Sequence, residues 1–139
     1  MVFLGTSAPL QSDLSLIIQV VILVFLVFAI TRAKKKEYMR HAYLMLVCLT
    51  LTLWNAFIVM VPKALSLIRM YRPYGLSLLV RVHLTFSVIV FLLGFYLIWV
   101  WRLEEPGPCF KQSGKMRILA GLWVLEILGG FLIYYLLYV

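Results

Sequence analysis

At 139 residues, 65% hydrophobic and only 13% charged, the chain lies far from the soluble norm of roughly half apolar and about a quarter charged residues. A water-soluble globule this small leaves too much of its chain exposed to hide such a content. The surrounding solvent is therefore lipid, and the composition excludes an ordinary soluble domain. The net charge of +8 gathers at the ends of apolar runs and not along a face, which excludes a nucleic-acid footprint and reads as topology signal and headgroup contact.

Residues 1–12 contain Gly5 and Pro9 but no basic residue. They lack the positive start and small-residue cut site of a signal peptide, so the N-terminus is expected to be retained. Ser12 or Asp13 is expected to cap the first helix by offering an oxygen to its unpaired amides. The apolar run Leu14 to Ile30, broken only by Ser15 and Gln19, gives a first span over about 13–31, close to the roughly 20 residues a bilayer core needs. It stops at Thr31-Arg32-Ala33-Lys34-Lys35-Lys36.

The second span is expected over about 41–61, ending at Pro62-Lys63, with Trp54 and Asn55 inside it. The connector Pro62 to Gly75 has room for one or two interfacial helical turns over Ala64 to Tyr71, with Tyr71 and Tyr74 as anchors. The third span covers about 76–101 and closes on Trp99 and Trp101; Glu104-Glu105-Pro106-Gly107-Pro108 then breaks the helix. The fourth covers about 116–138. The pattern predicts an all-α fold, a polytopic four-helix membrane bundle, as one domain over 1–139.

Four spans place both termini on one side. The first and third loops hold nine basic residues (Arg32, Lys34, Lys35, Lys36, Arg40, Arg102, Lys111, Lys115, Arg117), against four around the second (Lys63, Arg69, Arg72, Arg81). The excess predicts that loops one and three are cytoplasmic and both termini outside. Cys48 falls in a span and Cys109 in a loop, so a mutual disulfide is not expected.

No glycine-rich phosphate loop, zinc-type Cys/His spacing or Ser/His/Asp arrangement is present, which removes the hydrolase and kinase readings. Two histidines remain, His41 opening the second helix and His83 opening the third. Imidazole is the usual axial ligand of b-type haem. Along antiparallel helices the two are about 25 Å apart in depth, whereas two axial nitrogens on one iron are about 4 Å apart. They cannot share one iron. Each pairs with another ligand at its own depth, or two copies of the chain bring the same histidine together, or at most one binds iron. Met60 is the candidate partner near His83 and Met116 near His41, against the plainer role of filling gaps. Arg40 and Arg81 adjoin the histidines and are candidates for haem propionates or snorkelling anchors. Glu126 lies near the bilayer midplane, where an ionisable group is costly. Asn55 and Gln19 are its expected partners, through a structural hydrogen bond or, more sharply, a proton relay or quinone contact.

The segment Arg40-His41-Ala42-Tyr43-Leu44-Met45, His83 early in the third span, and Trp123, Gly130 and Tyr134 in the last together resemble a known pattern. It is that of the small four-helix membrane family of unknown function numbered four hundred and twenty, found with haem-copper oxidases. The similarity covers the second to fourth helices. It implies a membrane b-type haem protein of the plasma membrane of a prokaryote, acting in respiratory electron transfer or oxidase assembly. Implied partners are the bilayer and a haem-copper oxidase or other respiratory subunits; the small size of the bundle separately suggests a second copy of the chain. Where the family adds a histidine at the outer end of helix two this chain has Met60 nearby, and where it adds one before helix four this chain has Gln112 or Met116. Those departures leave open one haem, His/Met ligation or none. A cofactor-free accessory subunit of a respiratory complex is the alternative, and a small transporter or channel using Glu126 is the third reading.

Overall fold

The computed structural model describes residues 7–70, 75–101 and 112–139. All regular structure in them is helical: α1 (Leu10–Lys34), α2 (Tyr38–Asn55), a π-helical turn (Ala56–Met60), α3 (Val61–Met70), α4 (Leu76–Trp101) and α5 (Ser113–Tyr138). The anchors Tyr71 and Tyr74, the break at Glu104 to Pro108 and the loop thiol Cys109 lie outside the described residues.

Because α2, the π-turn and α3 run on as one rod, there are four membrane-length units: Leu10–Lys34, Tyr38–Arg69, Leu76–Trp101 and Ser113–Tyr138. Each is long and apolar enough to cross a bilayer. Only 22–28% of the most apolar stretch of each is buried inside the bundle. The remainder presents side chains such as Phe57, Leu92, Trp99 and Leu125 outward. That much exposed apolar surface is stable only against lipid. The chain is an all-α integral membrane protein.

α1 packs along α2 and α4 along α5, while α1–α5 and α2–α4 contacts close the ring. The turn between α1 and α2 is made by Lys36 in the left-handed region (φ 62°) and by Glu37, whose carboxylate accepts hydrogen bonds from Arg32 and Arg40, each at 3.0 Å. Desolvation pushes the Glu37 carboxyl up, but the bonds from Arg40 and Arg32 outweigh it and hold the group below its ordinary value. The pair therefore helps the folded state at neutral pH and loses that help as acid protonates Glu37.

Inward residues recur at spacings of three and four. On α4 they are Ser77, Val80, Val90, Gly94, Leu97 and Trp101; on α5, Leu119, Trp123, Glu126 and Ile127. These residues form the stripe that each helix turns towards its neighbours. Gly94 brings α4 against α2, since a Cβ there would lie 3.1 Å from Leu49 Cδ1. Cys48 is fully buried in the same core, its thiol facing the Ile22 carbonyl. In a Cys109→Ser background, Cys48 is therefore expected to resist a membrane-permeant maleimide in the native state and to react only on denaturation, as mass spectrometry of the intact chain would show.

Two local expectations are corrected. The N-cap of α1 is Pro9, with no side-chain capping bond. Ser12 and Asp13 instead turn inward, to Tyr138 and Tyr134 of α5. Nor does the second rod end at Pro62. Proline has no N–H to give and crowds the carbonyl four residues back. The π-turn just before it re-spaces those carbonyls, with the Val61 N–H reaching the Ala56 oxygen. The helix then continues, and Ala64 and Leu67 pack against Val80 of α4.

Candidate functional site: a histidine-lined cavity towards each end of the bundle

The first cavity, about 40 Å³, is built around His41. Its wall also carries Met116 at the head of α5, Gly94, Trp101 and Trp123. His41 is buried, and Nδ1 lies 2.8 Å from the Ala29 carbonyl oxygen. A carbonyl only accepts, so Nδ1 carries the proton and Nε2 keeps its lone pair. No hydrogen bond to Nε2 is seen among the described residues. The indole Nε1 groups of Trp101 and Trp123, on the same wall, are buried donors without acceptors among the described residues.

The second cavity, about 90 Å³, is lined by His83 and Met60 together with Ser12, Gln19, Lys63 and Tyr134. No lining residue is common to the two cavities. His83 has only 9% of its side chain exposed, and its Nε2 lies 3.8 Å from Glu126 Oε1. Both of its ring nitrogens are buried without a hydrogen-bond partner among the described residues. Ser87, one turn along α4, lies 3.0 Å from the same Glu126 oxygen and 3.0 Å from the His83 carbonyl. Gly129 walls the ring on its other side, where a Cβ would come within 2.9 Å of Nδ1.

Each histidine thus shares a cavity with the methionine expected at its level, Met116 with His41 and Met60 with His83. The arginines do not line either one. Arg40 is exposed and bonded to Glu37, and Arg81 is exposed. Asn55 is buried, but its Oδ1 has no partner, and the expected Glu126–Asn55 bond is replaced by Glu126–Ser87. Ser87 was missed, although it stands four residues after His83 and so on the same helical face.

Asp13 is fully buried; Tyr134 donates to its Oδ1, and its Oδ2 has no hydrogen-bond partner among the described residues. A carboxylate that loses a buried donor keeps its full desolvation cost. Tyr134→Phe is expected to destabilise the bundle by about 1–3 kcal/mol, read as a shift in detergent-titration unfolding.

A haem group makes two demands. The donor set meets the chemical one, with an imidazole whose Nε2 is available, a thioether in the same cavity and two indole donors without acceptors. The spatial demand needs a change in the bundle. The His41 cavity of about 40 Å³ is far below the roughly 300 Å³ at which cofactor pockets begin, so a porphyrin enters only if the helices part. Fold and site together define a four-helix integral membrane protein with one histidine-centred cavity towards each end. No family model, curated protein or solved structure matches the chain.

Proposed function

We propose that the chain is a membrane b-type haem-binding protein, in which His41 would hold the haem iron through Nε2 and Met116, in the same cavity, would be the candidate second ligand. The observation that carries this reading is the hydrogen bond from His41 Nδ1–H to the Ala29 carbonyl. Metal-binding histidines usually donate their other ring N–H to such an acceptor, which fixes the tautomer and raises the basicity of the ligating nitrogen. Trp101 and Trp123 supply donors for an anionic or carbonyl oxygen of the bound group. Haem, when bound, provides one-electron redox chemistry; the protein provides ligands, orientation and exclusion of water. His83 is left outside this assignment, because Glu126 and Gly129 confine its ring.

The cellular setting belongs to the same proposal: a prokaryotic plasma membrane, the His41 end towards the cytoplasm, both termini outside, and a role in electron transfer to, or assembly of, a haem-copper oxidase. The absorption spectrum of protein purified from haem-replete cells tests it. A Soret band with reducible α and β bands is expected, and its absence at full occupancy of the membrane fraction refutes haem binding. The small volume of the His41 cavity favours a second reading, a cofactor-free accessory subunit of a respiratory complex, which predicts a colourless protein.

A further inference from the structure

The half of the molecule around His83 has no part in that assignment, and its polar groups form a continuous arrangement of their own. A surface cleft of about 190 Å³ opens beside the start of α1 and is lined by Gln11, Ser12, Pro62, Lys63 and Ser66. Ser12, Val59 and Lys63 are shared between this cleft and the 90 Å³ cavity, so the two adjoin. The cavity wall continues inward through Ser15 and Gln19 to His83. Both spaces exceed the ~10–15 Å³ that a water needs, and Ser12, Ser15, Gln19 and Lys63 set polar groups along an otherwise mostly apolar wall. Beyond His83 lie Ser87 and Glu126, both on the core side.

The Ser87 hydroxyl has one proton and two oxygens at 3.0 Å. The His83 carbonyl can only accept. When Ser87 gives its proton there, as helical serines commonly do towards the carbonyl four residues back, the contact with Glu126 Oε1 is a hydrogen bond only if Glu126 brings a proton. When Glu126 is ionised, the hydroxyl must turn to it and release the carbonyl. The cluster therefore has two hydrogen-bonding states that differ by one proton. His83, nine-tenths buried with two unpartnered nitrogens, stands between that carboxyl and the cavity.

We propose that His83, Ser87 and Glu126 form a reversible intramembrane proton-binding site, reached from one side only, through the cleft at the end of the bundle where α1 begins and α5 ends. A proton leaves water in the cavity, binds His83 Nε2 and passes to Glu126 Oε1; release retraces the path, with no redox change and no other reactant. The remaining titratable groups facing the route are Lys63 from α3 and Tyr134 and Tyr138 from α5, with Asp13 of α1 behind Tyr134. The site does not depend on haem at His41.

The test is pH-difference infrared spectroscopy of the full chain in nanodiscs, in light and heavy water. A protonated-carboxyl C=O band is expected to grow as the pH falls, to shift in heavy water and to vanish in Glu126→Gln. Labelling wild-type glutamate with carbon-13 moves the same band, which separates it from Asp13 even if the variant does not fold. Gly130→Leu, which fills the cavity wall, is expected to slow deuterium exchange of the band. The site is refuted if no carboxyl band titrates, if the titrating band is insensitive to glutamate labelling, or if the cavity-filled protein exchanges as fast as the parent.

Discussion

Replacing His41 with alanine is expected to leave the purified protein without its Soret band, while His83→Ala keeps it. The reason lies in what surrounds each ring. His41 has one nitrogen occupied by a carbonyl and the other available beside a thioether, whereas His83 is held between a carboxyl and a glycine. Loss of an outer partner of a ligating histidine costs ~10–100-fold in affinity, so loss of the ligand itself should exceed that in a haemin titration of the apo-protein. Met116→Leu keeps the volume and removes the sulfur, and is expected to retain the pigment with an altered spin state. Both single-histidine proteins should be compared at equal folded fraction by circular dichroism, since His41→Ala also removes a buried hydrogen bond worth about 1 kcal/mol.

Gly129→Ala is expected to destabilise the bundle by about 1–3 kcal/mol, the usual range for overpacking. The added methyl would stand 2.9 Å from His83 Nδ1 and 3.8 Å from two further ring atoms. Glu126 stands on the Nε2 side of the ring, so relief requires the imidazole to turn into the adjoining cavity. Gly121→Ala is the control: nothing lies within 4 Å of a Cβ there, so only the helix-favouring gain of alanine over glycine applies, roughly 1 kcal/mol at most. Gly130→Ala should fall between them. Its Cβ would meet Gln19 Oε1 at 2.5 Å, but that atom ends a flexible side chain next to a cavity. The ranking is read from unfolding midpoints of the three variants in one detergent.

Four apolar runs and their basic ends could be read directly because lipid selects for length and hydropathy, both local properties. What failed depended on how helices are turned towards one another. Asp13 looked like a cap because it precedes an apolar run, yet Tyr134, more than a hundred residues away, takes it. Glu126 was matched with Asn55 by depth, and depth alone does not say which face of α4 or α2 looks at α5; the register of α4 puts Ser87 there. Pro62 read as a stop because the π-turn that accommodates it leaves no signature in Ala56-Phe57-Ile58-Val59-Met60. The level of each histidine and methionine follows from rise per residue alone, whereas which residues line a cavity together depends on how the helices are turned.

The ligand assignment at His41 is tested most directly by low-temperature near-infrared magnetic circular dichroism of the oxidised protein, with haem content measured per chain. A thioether-to-iron charge-transfer band at one haem per chain is the expected result. A bis-imidazole spectrum at one haem per two chains would instead put the iron between two copies of the protein and contradict a His41/Met116 site within one bundle.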